Sequence, residues 1–128
     1  MDRTKKPVIA VVDDDSRVRE SLASLIESAG FTARVFPLAK DFLQGDFLTG
    51  TSCLITDVRM PGMDGLSLLR AVRGSPSVRK LPFILLTGRG DRELVVKAAQ
   101  AGVNNYLIKP FTAGILRQKI EQVMGRLL

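Results

Sequence analysis

The feature that most constrains this chain is a set of short apolar runs that each stop at a reactive side chain. Val8-Ile9-Ala10-Val11-Val12 stops at Asp13 and Asp14, Leu54-Ile55 leads through Thr56 to Asp57, Phe83-Ile84-Leu85-Leu86 stops at Thr87, and Leu107-Ile108 stops at Lys109. Runs of this length without polar alternation read as parallel strands covered on both faces. Ligands of an open parallel sheet bind outside the carboxyl ends of its strands, so these five residues are expected to meet on one rim.

Between the runs lie helical patterns. Val18, Leu22, Leu25, Ile26 and Ala29 fall on one helical face, with Asp15 or Ser16 as cap and Gly30 as terminator. A strand is expected near Thr32 to Phe36, a turn at Pro37, and a short helix through Ala39, Phe42, Leu43 and Phe47, weakened by Gly45 and closed near Gly50. Ser52 to Thr56 reads as the third strand and Met60-Pro61-Gly62-Met63-Asp64-Gly65 as a loop. A helix with Leu66, Leu69 and Val72 on one face ends at Gly74-Ser75-Pro76. Leu81 to Leu86 is the fourth strand, Asp91 to Ala101 a helix with Leu94, Val95, Ala98 and Ala99 inward, and Asn104 to Ile108 the fifth strand. The last helix starts at Thr112 and carries Leu116, Ile120, Val123, Met124 and Leu127 on one stripe.

Strict strand and helix alternation implies right-handed crossovers and a parallel sheet with helices on both faces. The expected fold is therefore α/β: a single-domain flavodoxin-like (βα)5 sandwich over residues 1–128, with residues 1–6 as a flexible tail. A strand order of 2-1-3-4-5 sets the first strand beside the third and brings Asp13, Asp14 and Asp57 together at the switch point.

Composition removes several functions. There is no histidine, which excludes histidine catalysis and His-ligated metals. The single cysteine, Cys53, lies in an apolar stretch and reads as a small buried hydrophobe in a reducing compartment. Basic Arg3, Lys5 and Lys6 precede an apolar run that ends at Asp13, too short for a signal peptide or a membrane span, so a cytoplasmic protein without a membrane partner is expected. The net charge is +6, but the basic residues are scattered and one tyrosine and no tryptophan are available for base stacking. No direct nucleic-acid contact is expected, and the charge would equally suit an acidic protein partner.

Three clustered carboxylates repel one another, and at least one pKa must rise unless a cation compensates. Mg²⁺ or Mn²⁺ fits, because such ions take oxygen ligands from one or two carboxylates and leave positions for water and phosphate oxygens. A phosphoryl group is the natural missing ligand. Asp57 could then act as the nucleophile of an aspartyl-phosphate intermediate, Lys109 would neutralise phosphoryl oxygens, and Thr87 would donate a hydrogen bond to one.

The segments Val11 to Asp15, Thr56 to Gly65, Leu86-Thr87-Gly88 and Lys109-Pro110-Phe111 resemble, in order and spacing, the four signature segments of the receiver domain of two-component response regulators. The amino-terminal half is most similar to receivers of the nitrogen-fixation type. The stretch Ala98 to Tyr106, with Lys109 to Ala113, resembles the single-domain chemotaxis regulator. This resemblance implies that Asp57 accepts a phosphoryl group from a histidine kinase or a histidine phosphotransfer protein. It also implies that Asp14, Asp57 and the backbone carbonyl of Arg59 bind Mg²⁺ directly and that Asp13 binds it through water. Thr87 and Tyr106 would be the switch pair that reshapes the face of the fourth helix, fifth strand and fifth helix, and Lys109-Pro110 would be a cis bond. Tyr106 taken alone reads as a partly buried packing residue. The resemblance leaves the effector open and allows a phosphorylation-dependent homodimer. Catalysis is expected only as Mg²⁺-dependent self-phosphorylation and self-dephosphorylation.

Other readings stand beside this one. Asp13-Asp14-Asp15 alone would be a solvated turn or cap, and Gly88-Arg89-Gly90 mimics a dinucleotide fingerprint but has Glu93 where the third glycine belongs. Small Gly88 is expected to leave access to the phosphorylation site. Arg59 and Arg89, each two residues past a signature residue, are expected at the site mouth, attracting anionic phosphodonors and covering the phosphate. A haloacid-dehalogenase-like phosphatase would need a second Asp where Arg59 stands, and a flavodoxin-like flavin binder would need a phosphate loop where Asp13 and Asp14 stand. The receiver could act alone or as the amino-terminal part of a DNA-binding transcriptional regulator.

Overall fold

Alternate side chains along the strands enter two separate apolar cores. In the computed structural model, which describes residues 6–45, 50–60, 62–76, 80–88, 90–103 and 105–125, β1 (Val8–Val12), β2 (Thr32–Phe36), β3 (Cys53–Asp57), β4 (Phe83–Thr87) and β5 (Tyr106–Ile108) form one parallel sheet of order β2-β1-β3-β4-β5. Ala10, Val12, Leu54, Phe83 and Leu85 meet α2 (Ala39–Gln44), α3 (Gly65–Arg73) and α4 (Arg92–Gln100) on one face. Ile9, Val11, Cys53, Ile55, Ile84 and Leu86 meet α1 (Ser16–Ser28) and α5 (Ala113–Val123) on the other. This double burial is why the strand sequences lack polar alternation. Truncating a central residue such as the fully buried Ile84 to alanine would cost about 2–5 kcal/mol.

The expected strand order and the helices on both faces are present. The strand ends differ from expectation in an instructive way. β3 and β4 each reach one residue further, so Asp57 and Thr87 are the last strand residues, in register with Leu86 and Ile108. Backbone pairing continues past the point where the side chains turn polar. β5 is shorter than expected and starts at Tyr106, the first residue in register with β4, although the Asn105 carbonyl already accepts the Leu85 N–H at 3.0 Å. The fourth helix begins at Arg92 with Asp91 as N-cap, and Ala99, expected inward, is exposed while Ala98 is buried. Phe47, Pro61, Arg89, Asn104 and Leu127 lie outside the described residues, as do residues 1–5 of the expected tail.

Caps fix the loops that follow the strands. The Asp15 carboxylate accepts the Arg17 N–H at the start of α1, and Gly30, at φ +95°, ends the turn beyond it. Asp64 accepts the Ser67 N–H at the start of α3. The first residue of α3, Gly65, lies so close to the end of β3 that an added Cβ would stand 2.6 Å from the Asp57 carbonyl oxygen. Cys53 is free and buried, and burial pushes its thiol up to about 12, in keeping with an inert packing role.

Candidate functional site

The end of β1 delivers Asp13 into the protein and Asp14 to its surface. Asp13 is 1% exposed; its N–H donates to the Phe36 carbonyl at 3.1 Å, and its Oδ1 accepts the Asp15 N–H at 2.9 Å. Arg19 Nη1 donates to the Asp13 carbonyl oxygen at 2.8 Å. Asp13 Oδ2 is buried without a hydrogen-bond partner, and Lys109 Nζ stands 3.8 Å away. At the end of β3, Asp57 Oδ1 accepts the Arg59 N–H at 2.9 Å and Oδ2 accepts Lys109 Nζ at 2.9 Å. One carboxylate oxygen from each of Asp13, Asp14 and Asp57 lies within 4.8 Å of the others.

The electrostatics follow from this crowding. Burial pushes the Asp13 carboxyl up to about 6; the Asp57 charge adds to the rise, while the Asp15 amide and Lys109 oppose it. Burial alone would lower the Lys109 ammonium, but the hydrogen bond and charge of Asp57, with the charges of Asp13 and Asp15, raise it above its ordinary value. Lysine therefore remains a fixed cation beside a carboxylate set with too little positive charge. An all-oxygen donor set with an orphaned buried oxygen fits a hard divalent cation, the ion expected from carboxylates clustered at strand ends.

The second half of the rim comes from β4 and β5. Thr87 is buried and its hydroxyl donates to the Leu107 carbonyl at 3.4 Å, while the Lys109 N–H donates to the Thr87 carbonyl at 2.8 Å. The Lys109–Pro110 peptide is cis. Tyr106 is 41% exposed, so it faces solvent rather than the core, and with Thr87, Gly88, Asp91, Val95 and Ile108 it lines a groove of about 300 Å³. Gly88 leaves open space, its nearest neighbour for an added Cβ being Asp91 Oδ2 at 3.8 Å.

Sequence reasoning placed Asp13, Asp14, Asp57, Thr87 and Lys109 on one rim, and all five are there. Asp91 and the side chain of Arg59 were missed as partners. Arg59 Nε donates to Asp91 Oδ1, Arg59 Nη2 donates to the Gly90 carbonyl at 3.3 Å, and the Gly88 N–H donates to Asp91 Oδ2 at 2.7 Å. Burial pushes the Asp91 carboxyl up, but the Gly88 amide and the Arg59 guanidinium more than offset this and hold it below its usual range. The one available signal was opposite charge on two neighbouring strand-end loops. Arg89, the other arginine expected at the mouth, lies outside the described residues.

Comparison with known proteins follows the same lines. A family model for the response regulator receiver domain matches residues 9–121. The chain is 39% identical over 126 residues to the chemotaxis protein CheY of Pseudomonas aeruginosa, spanning 92% of this chain and 96% of that protein. It is 42% identical over 123 residues to the transcriptional regulatory protein FixJ of Bradyrhizobium diazoefficiens, spanning 94% of this chain and 58% of that protein. Among solved structures, a putative response regulator from Chloroflexus aurantiacus J-10-fl superposes with a TM-score of 0.88 at 34% identity, covering 95% of this chain and 100% of that one. Full-length FixJ from B. japonicum superposes with a TM-score of 0.82 at 40% identity, covering 95% of this chain and 59% of that one. Among the described residues, no helix is long and apolar enough to cross a membrane.

Proposed function

The chain belongs to the response regulator receiver family of two-component signalling, whose members are phosphoacceptors, and from that membership we propose that Asp57 is the acceptor. The observation that carries this reading is the pairing of Asp57. One oxygen is held by the Arg59 amide and the other by Lys109, with Asp13 and Asp14 converging from the next strand. Asp13 shares this lysine and these neighbours, but its oxygen lies 3.8 Å from Lys109 Nζ and is buried, whereas Asp57 is hydrogen-bonded to it at 2.9 Å.

In the proposed reaction a carboxylate oxygen of Asp57 attacks the phosphorus of a phosphorylated histidine on a sensor kinase or phosphotransfer protein. The new O–P bond forms as the P–N bond breaks, and the histidine leaves with the electron pair. Small phosphodonors would react in the same way, and water attack on the acyl phosphate would return the carboxylate. Asp13, Asp14, Asp57 and the Arg59 backbone carbonyl would hold Mg²⁺ or Mn²⁺, which supplies positive charge to the transferring phosphoryl oxygens. Lys109, already committed to Asp57, moves its charge onto the phosphoryl group without a large reorganisation.

The response then runs through Thr87. Its hydroxyl now donates to the Leu107 carbonyl at a long 3.4 Å, a bond weak enough to exchange for a phosphoryl oxygen. Movement of Thr87 alters the groove shared with Tyr106 and so the face of α4, β5 and α5, where Val96, Tyr106, Ile108 and Ile115 are exposed. That face would meet an effector or a second phosphorylated copy, because a ligand shifts two states only through its differential contacts. Output through an attached DNA-binding region, in the manner of a transcriptional regulator, is the second reading, favoured by the match to 58% of FixJ. The test of the acceptor is intact mass after incubation with Mg²⁺ and a small phosphodonor. Wild type should gain one phosphoryl group and Asp57→Ala none, and equal labelling of the variant would refute the assignment.

A further inference from the structure

Asp91 holds an N-cap position that it does not use. Three of the helices have a side chain that caps the first turn: Asp15 for α1, Asp64 for α3 and Thr112 for α5, each with an extended backbone at ψ 116°, 178° and 162°. Asp91 begins α4 with the same kind of side chain, yet its ψ is 11° and its carboxylate accepts nothing from the helix. Instead the carboxylate turns back to the Gly88 N–H and the Arg59 guanidinium, and Arg59 also reaches the Gly90 carbonyl. The first turn of α4 is left without a side-chain cap while two strand-end loops are strapped together.

The strap is connected to the acceptor at its other end. The Arg59 N–H donates to Asp57 Oδ1, so the backbone that carries the guanidinium is already anchored on the acceptor carboxylate. The Arg59 side chain is 64% exposed and the Asp91 side chain 11%, so the arginine can turn away while the aspartate stays enclosed. A phosphoryl group adds negative charge and strong acceptor oxygens, and a planar guanidinium matches it better than it matches a single carboxylate oxygen.

We propose that Arg59 and Asp91 form a partner-exchange latch: a phosphoryl group on Asp57 takes the Arg59 guanidinium, and the freed Asp91 carboxylate rotates to cap α4. The inference rests on Asp57 being the acceptor and adds a route to the output face separate from the Thr87 hydroxyl. Arg59 and Asp91 are positioning residues in it. In the unphosphorylated chain the latch restrains the loop between β4 and α4. In the phosphorylated chain the same loop changes backbone conformation, because capping needs Asp91 in the extended region it now lacks. The two states share one cation, so whatever weakens the latch strengthens the hold on the phosphoryl group, and the reverse.

The test is binding of beryllium fluoride, a phosphoryl mimic, in the presence of Mg²⁺, followed by fluorine NMR and calorimetry. Asp91→Asn removes the charge pair but keeps an acceptor for the Gly88 amide and a side chain able to cap. It should bind the mimic three- to tenfold more tightly than wild type, which converts to about 0.6–1.4 kcal/mol. In an Arg59→Ala background the same substitution should give no gain. In wild type the amides of Glu93 and Leu94, in the first turn of α4, should exchange more slowly once the mimic binds, and in Asp91→Ala they should not. Unchanged or weaker binding by Asp91→Asn overturns the latch, as does a gain that persists without Arg59. Asp57→Ala separates the two claims: if it binds the mimic as wild type does, the acceptor assignment fails and the latch with it. If it does not bind and Asp91→Asn shows no gain, only the latch fails.

Discussion

The carboxyl ends of β1 and β3 and those of β4 and β5 share one rim but are held in opposite ways. On the first side Asp13 is buried with an unpartnered oxygen, Asp57 is clamped by an amide and by Lys109, and Gly65 is pressed against the backbone of β3. On the second side the Thr87 hydroxyl makes a long hydrogen bond, Tyr106 is exposed, and the following loop is tied by the ion pair between Arg59 and Asp91. The difference separates two tasks. A site that receives charge must be built before the charge arrives, whereas an element that reports it must have a second arrangement within a few kcal/mol.

Substitutions that strip the contacts of the first side, including the Lys109 ammonium that reaches Asp57 from the end of β5, should therefore cost more. The largest effect is expected for Lys109→Ala, which removes the cation 2.9 Å from Asp57. Initial rates of labelling from a small phosphodonor should fall by roughly 10²-fold, by analogy with losing one preorganised charge donor, and a rate within twofold of wild type would erase the distinction. Gly65→Ala should destabilise the chain by about 1–3 kcal/mol in urea unfolding, because the new Cβ meets the Asp57 carbonyl oxygen at 2.6 Å.

Asp13→Asn tests the charge stored on the first side. The folded carboxyl titrates at about 6 against an ordinary value of 3.8, so between those pH values the folded chain holds the extra proton. Stability without a divalent cation should thus fall as pH rises through that window and level off above it. Asp15 and Asp91, both held below 3.8, contribute in full above that value and lose their contribution only as pH falls below it, outside this window. At pH 7 Asp13→Asn should be more stable than wild type by roughly 1–2 kcal/mol, with the difference gone near pH 4 and with less added protection from Mg²⁺. Thermal unfolding across pH would check this, and a destabilised variant at pH 7 would contradict it. The smallest effect is expected on the second side: Gly88→Ala meets only Asp91 Oδ2 at 3.8 Å and should change stability by less than about 0.5 kcal/mol.

The same division explains what the sequence could tell. The sheet, its order and the five rim residues follow from apolar runs and their polar ends, because burial on two faces and the switch-point rule act through local pattern. Strand ends were misjudged by a residue at Asp57 and Thr87, and β5 by more, because pairing with a neighbour decides them. The outward Tyr106 and exposed Ala99 depend on packing around α4 that periodicity does not resolve. The bond between Arg59 and Asp91 joins residues 32 positions apart and leaves no periodic trace, and Asp91 reads from sequence only as the first residue of the fourth helix.

The central claim is that one carboxylate on the rim, that of Asp57, takes the phosphoryl group. Borohydride reduction after phosphorylation converts an aspartyl phosphate to homoserine, and peptide mapping then reads its position. The account predicts homoserine at position 57 alone. Homoserine at position 13, 14 or 64 instead, or at none under conditions where the intact mass shows labelling, would contradict it.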